Sequence, residues 1–240
     1  MNKFQSKLKE FIEHTCLNPN SQISGEQYSD LIKALLVEGT RLEQAAHIDY
    51  VTGLGNKRKF ESDLGVHLAM AGRNHRAKRS SIPFDVFMAD VGGLKYVNDH
   101  FGQANGDSLL ITAADYVRGF SQRGHDLSYR IGGDEFTFIH PGTEEGDTEN
   151  FYEHFKAAAR HIRPAANFEI CPDMQINEKE LETARKDFPL ILHVGCLRID
   201  ETNVNTFINA RDVLSILGMC MNKDKRINYE DESYKKFMRP

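Results

Sequence analysis

Leu127-Ser128-Tyr129-Arg130-Ile131-Gly132-Gly133-Asp134-Glu135-Phe136-Thr137-Phe138-Ile139 is the stretch on which the reading of this 240-residue chain turns. Two short apolar runs, Leu127 to Ile131 and Phe136 to Ile139, flank two glycines and two carboxylates, the pattern of an antiparallel hairpin. Glycine lets a backbone come close to a ligand while the acids beside it point inward. The same four residues also make a good turn with no further duty.

Working outward, a second acid stands where another apolar run stops. Phe84 to Ala89 reads as a strand ending in Asp90, and Val91-Gly92-Gly93 then opens a helix over Leu94 to Asp99 that carries Lys95. If that strand lies beside the hairpin, Asp90 meets Asp134 or Glu135 at one end of a sheet, an arrangement of hard oxygens suited to magnesium and a triphosphate. Backbone N–H groups around Gly92, Gly93 and Leu94 at a helix N-terminus favour phosphate, and Lys95 adds a positive charge. Metal-assisted phosphoryl or nucleotidyl transfer is the chemistry these residues suit.

Asn98 and Asp107 follow without an obvious structural duty. A carboxylate accepts from the N1–H and N2–H of guanine, and an amide donates to N3 or O6, so the two residues together suit a guanine edge. The competing reading makes Asp107 the N-cap of a helix over Ser108 to Phe120. Further along, Asn150 to Arg163 and Asn177 to Lys186 have helical patterns, Pro189 to Ile199 is a strand, and Val204 to Met221 is a last helix. Helices between non-sequential strands indicate an α+β sheet domain rather than a doubly wound one.

Ahead of this domain, Phe4 to Cys16 and Glu26 to Ala46 each carry apolar residues on one helical face. They predict an N-terminal helical segment, residues 1–48, serving in dimerisation or regulation. A seam of Leu31, Leu35 and Leu42 suits a homodimer, and packing as a cap on the sheet is the alternative. The sheet domain spans 49–230, and 231–240 form a tail.

Composition excludes more than it selects. A formal charge of −5 gives no bulk attraction for nucleic acid or anionic lipid, and the basic stretch Arg73 to Arg79 reads as a solvated surface. Cys16, Cys171, Cys196 and Cys220 are too scattered for a zinc knuckle or a disulfide framework. No run approaches the roughly 20 apolar residues of a membrane span, and the N-terminus lacks the core of a signal peptide. A cytoplasmic location is expected.

Four motifs occur together: Asp49-x-x-Thr52-Gly53-Leu54-x-Asn56-x-Arg58-x-Phe60; Asp90-x-x-x-Leu94-Lys95-x-Val97-Asn98-Asp99; Gly102-x-x-x-Gly106-Asp107; and Arg130-Ile131-Gly132-Gly133-Asp134-Glu135-Phe136. In this order, over roughly Asp49 to Asn228, the chain resembles the GGDEF family of diguanylate cyclases. The resemblance implies a nucleotidyl-cyclase-like fold, a ferredoxin-like palm whose antiparallel-rich sheet is flanked by helices. It implies that Asp90, Asp134 and the Val91 carbonyl hold two magnesium or manganese ions, and that Glu135 serves at the metal or as base. Gly93, Leu94 and Lys95 would bind phosphate, Asn98 and Asp107 would select guanine, and two GTP would condense across a homodimer into cyclic di-GMP with loss of two pyrophosphates. Arg123-Gly124-His125-Asp126 is similar to the family's R-x-x-D site, implying product inhibition through Arg123 and Asp126.

Several positions depart from the family pattern. Gly92 replaces a second Asp, Gln103 a His, and His193 a Ser. The two phosphate-binding cations of the last helix are blurred: the Lys falls on Met219 or Asn222, with Lys223 or Arg226 as the second. A catalytically weak domain that senses cyclic di-GMP or GTP is the alternative reading.

Overall fold

The protein is described by a computed structural model over residues 25–79, 82–120, 127–142, 146–170 and 177–230. The expected helix over Phe4 to Cys16, the residues Arg123 and Asp126, and the tail at 231–240 lie outside the described residues. The chain divides into two compact units, Met1–Ile48 and Asp49–Pro240. In the first, α1 (Gly25–Ala45) is a single helix. Leu35 and Leu42 on it are exposed.

The second unit is built on a five-stranded sheet. Its elements run β1 (Gly55–Asn56), α2 (Lys57–Arg76), β2 (Phe84–Val91), α3 (Leu94–Phe101), α4 (Gln103–Phe120), β3 (Leu127–Arg130) and β4 (Glu135–Pro141). There follow α5 (Asp147–Ala159), a 3-10 turn at Pro164–Asn167, α6 (Glu178–Asp187), β5 (Leu192–Ile199), a second 3-10 turn at Val204–Thr206 and α7 (Ala210–Glu230). Strand order is β1-β3-β4-β2-β5. The long pairings β3–β4, β4–β2 and β2–β5 are antiparallel, and only the two-residue β1 is parallel to its neighbour. This is the expected α+β, antiparallel-rich sheet flanked by helices.

Alternation along β2 divides the core in two. Phe87, Ala89 and Val91 face a cluster with Phe136 and Phe138 of β4, Leu109 and Ala113 of α4, Phe155 of α5 and Phe188 at the end of α6. Phe84, Val86 and Met88 face the other side, with Phe60 and Leu64 of α2 and Val213, Leu217 and Met221 of α7. Every residue of β2 is buried. Burial on both faces explains why its sequence is a continuous apolar run broken only by Asp85 and Asp90.

Local chemistry sets the helix ends. Asn56 caps α2 by accepting from the Lys59 N–H at 3.1 Å, and Asn177 with Glu180 forms a reciprocal capping box on α6. Between α3 and α4 the chain turns at Gly102, whose φ of 88° lies where a side chain would be strained. The helix expected to begin at Ser108 therefore starts at Gln103, one residue beyond the bend. The expected last helix is two elements, the turn at Val204–Thr206 and α7.

The outer edge of β5 is met by side chains at Val194 and Arg198. The Val194 N–H donates to Asp224 at 2.9 Å and its carbonyl receives the Tyr152 hydroxyl at 3.4 Å. The Arg198 carbonyl accepts from the Asn203 amide at 2.8 Å.

Candidate active site

The hairpin tip is held at three points. Strand pairing continues to Arg130 opposite Phe136, and the Ile131 N–H closes the turn on the Glu135 carbonyl at 2.8 Å. Arg130 then reaches across the tip, donating to the Gly133 carbonyl at 2.7 Å from one guanidinium nitrogen and to the Asp49 carboxylate at 3.1 Å from another. Asp49 also accepts from the backbone and hydroxyl of Thr52. Burial pushes its carboxyl up, but these bonds and the Arg130 charge outweigh burial and leave it below the ordinary carboxylate range. The Asp and Thr of the first motif thus anchor the arginine that sets the turn, a structural role their spacing did not disclose.

The third point brings the acids together. On β2 and β4 Asp90 pairs with Glu135, and the next N–H, that of Val91, donates to the Asp134 carbonyl at 2.9 Å. Asp90, Val91, Asp134 and Glu135 therefore meet at one end of the sheet. Burial pushes the Asp90 carboxyl above its ordinary range. The hydrogen bond and charge of Lys225 pull it down, while the negative charges of Asp134 and Glu135 push it up. Gly132 leaves room here for the Glu135 side chain: a Cβ would stand 2.5 Å from its carboxylate oxygen, which would have to move aside.

Lys225 is the residue that sequence reasoning missed. From α7 its ammonium makes an ion pair with Asp90 at 2.8 Å. Lys223 and Arg226, the two cations expected on this helix, are exposed, as are Met219 and Asn222. Its neighbour Asp224 is buried, bound to the Lys156 ammonium and to the Val194 N–H, which fixes the last turns of α7 against β5. A buried aspartate beside an inward-reaching lysine interrupts the apolar periodicity of the helix, and that interruption was the available signal.

Two of the positions that depart from the family pattern, Gly92 and His193, lie in filled space. A Cβ on Gly92 would lie 2.7 Å from Ile191 Cγ2 and 3.2 Å from His193 Nε2, so these side chains occupy the space. His193 is buried on β5 opposite Asp90. Burial, with Lys225 and Lys156 adding and Asp224 opposing, pushes the imidazole down to about 4. It is a neutral wall to the acid pole.

At the start of α3, Gly93 adopts φ 82° and leads into the helix. The Gly92 N–H, expected to be open to phosphate, is instead spent on the Ile191 carbonyl at 2.9 Å. Gly93 and Leu94 are partly exposed, and Lys95 is exposed in the first turn. One helix further, the bend at Gly102 sets Asn98 against Gly106: a Cβ on Gly106 would be 1.8 Å from Asn98 Oδ1. That oxygen is buried and has no hydrogen-bond partner among the described residues. Asp107 follows Gly106 in the second turn of α4, partly exposed. It does not cap a helix, because α4 begins four residues before it.

Among the described residues no three His, Cys, Asp or Glu side chains gather into a metal cage. Magnesium is suited to less, since it retains water and takes one or two carboxylates together with substrate phosphates. The hard oxygens of Asp90, Asp134, Glu135 and the Val91 carbonyl fit that demand in kind, though Lys225 now occupies Asp90.

Residues 46–208 match the family described as "Diguanylate cyclase, GGDEF domain". The chain belongs to this family. Diguanylate cyclase DgcM of Escherichia coli is 34% identical over 104 residues, which are 43% of this chain and 23% of that protein. Diguanylate cyclase DgcS of Shewanella oneidensis is 30% identical over 131 residues, 53% of this chain and 42% of that protein. The match thus spans less than half of either relative. In structure, the coiled coil and GGDEF domain of Caulobacter crescentus DgcB, solved with c-di-GMP, aligns with a TM-score of 0.64 over 84% of this chain and 92% of that one, at 14% identity. That likeness is one of fold. Among the described residues no helix is long and apolar enough to cross a membrane.

Proposed function

We propose that this GGDEF domain is a diguanylate cyclase that condenses two GTP into cyclic di-GMP and two pyrophosphates, acting as a homodimer. The observation that carries the reading is the Val91 N–H bond to the Asp134 carbonyl, which sets the hairpin acids beside Asp90. Asp90 of β2 and Asp134 and Glu135 at the start of β4 crowd one sheet end, where Lys225 pairs with Asp90. A nucleotide-bound cation would supply the remaining compensation for their mutual repulsion.

Asp90, Asp134 and the Val91 carbonyl would hold the ions, two magnesium or manganese per site. When bound, such ions neutralise charge on the triphosphate and on the departing pyrophosphate. The chain's own residues do the rest. Gly93, Leu94 and Lys95 at the N-terminus of α3 bind phosphate. Asn98 and Asp107 take the guanine edge, the buried Asn98 oxygen being the kind of unmet acceptor that a base N–H satisfies. Each 3′-oxygen bonds to the other nucleotide's α-phosphorus as the bond to the β-phosphate oxygen breaks, and Glu135 takes the hydroxyl proton. Most of the acceleration then comes from positioning and charge neutralisation. Feedback by the product at Arg123 and Asp126 and pairing through α1 belong to the same reading.

Purified chain incubated with GTP and magnesium is expected to yield cyclic di-GMP by nucleotide chromatography, and Asp134→Ala to reduce turnover by about a thousandfold or more. A chelator should stop the reaction without unfolding the protein. Asp107→Ser should raise the relative use of ATP by about tenfold or more. If wild type gives no turnover but binds the cyclic dinucleotide, and Arg123→Ala abolishes that binding, the domain is a sensor and the cyclase reading fails.

A further inference from the structure

Asp90 is a partly enclosed carboxylate in a crowd of its own sign, with Asp134 and Glu135 at the same sheet end. Such a group needs a cation. Lys225 supplies one at 2.8 Å, in a pair whose side chains are 26% and 9% exposed. The lysine comes from the last turns of α7, 135 residues away in sequence, and reaches this spot because Asp224 beside it is locked to the β5 edge at Val194 and to Lys156. A divalent ion at Asp90 and an ammonium on the same carboxylate oxygen would repel one another across a poorly screened gap. The two cations are alternatives.

We infer that Lys225 is a resident counter-cation: it neutralises Asp90 until a divalent ion arrives, is displaced by that ion, and then turns its ammonium to the triphosphate. Asn222, one turn earlier on α7, stands at one of the two positions where the family pattern puts a phosphate-binding lysine and offers no charge. Lys225, three residues on, lies on the neighbouring part of the helix surface and restores a cation to the pole. Lys225 is thereby a positioning residue for the metal and a binding residue for phosphate. The inference rests on the reading of Asp90 as a metal acid.

The test follows free Mn²⁺ by its paramagnetic resonance signal in titrations of the full chain without nucleotide. Lys225→Met is expected to bind Mn²⁺ about tenfold more tightly than wild type, because its competitor is gone, and Lys225→Arg to behave like wild type. The same Lys225→Met chain should bind a non-reacting α,β-methylene analogue of GTP several-fold more weakly. A merely structural lysine would not move the two affinities in opposite directions. In wild type, acetylation of Lys225 by acetic anhydride, read by mass spectrometry, should be slow without metal and several-fold faster with Mn²⁺. That readout does not depend on any variant folding. If Mn²⁺ binding is lost in Asp90→Asn but is no tighter in Lys225→Met, or if Mn²⁺ binds without speeding acetylation, the counter-cation role is overturned. If Asp90→Asn leaves Mn²⁺ binding unchanged, the metal reading beneath it falls instead.

Discussion

The two ends of the proposed nucleotide site are built in opposite ways. The corner that would take the base comes from one continuous stretch, Gly93 to Asp107, folded back on itself at Gly102. The acid pole is assembled from segments far apart in the chain: Asp49, Asp90, the hairpin at 130–135, and Lys225. A local site can be specified by spacing and one glycine bend. A dispersed site needs the whole sheet to be in register before its charges meet, so it should fail whenever the fold shifts, while the corner leans on the rest of the chain chiefly through the contact of Asn105 with Glu169.

That contrast predicts separable damage. Gly106→Ala puts a methyl group where the Asn98 amide lies. Overpacking of this kind costs about 1–3 kcal/mol, and if it falls on guanine binding the KM for GTP should rise by about ten- to a hundredfold. Mn²⁺ binding at the acid pole should stay as it was. A parallel loss of metal affinity would show that the two ends are not independent.

Arg130→Met acts on the other end. It removes the bonds to Gly133 and Asp49 and leaves the Asp49 carboxylate without its partner guanidinium. A lost bond to a charged group costs about 1–3 kcal/mol, so the urea midpoint should fall. The acids lose their fixed turn, and kcat should drop by about tenfold with little change in KM. A shift confined to KM would mean that the hairpin tip serves binding rather than the reacting groups.

The smallest effect is a pH dependence at Asp49. Its carboxyl is held below the ordinary value of 3.8 in the folded chain, so its contribution to stability is present above that value and is lost as pH falls through the lowered one. Asp49→Asn removes the charge and should destabilise the protein near neutrality. The gap between the two urea midpoints should close as the pH is lowered from about 5 to about 3. A gap that stays constant would assign Asp49 a role in packing alone.

The hairpin, the strand ending in Asp90 and most helices were legible, because each carries its own periodicity and its own breaker. The start of α4 was not. Gln103-Ala104-Asn105-Gly106 has the polar, glycine-containing character of a loop, yet the Asn105 side chain is consumed by the Phe101 carbonyl at 2.6 Å and by both backbone groups of Glu169. A tertiary contact overrode the local preference. Lys225 was legible only in part, for a related reason. Among Lys223, Lys225 and Arg226, the one that reaches Asp90 is decided by the rotation of α7 on β5, which Asp224 and the close approach of Gly195 to the backbone of Leu217 and Met221 set. Two-residue β1 carries no periodicity at all, and it exists only because Gly55 and Asn56 lie alongside Tyr129 and Arg130.

The border strand β5 has a consequence for how this protein behaves in a crowd. A bare sheet margin invites a neighbouring molecule to add its own strand, the first step toward fibres. Here a carboxylate, a phenol and an amide already answer the outward groups of Val194 and Arg198. A visiting chain would have to displace three side chains to pair with Val194 and Arg198 on that flank.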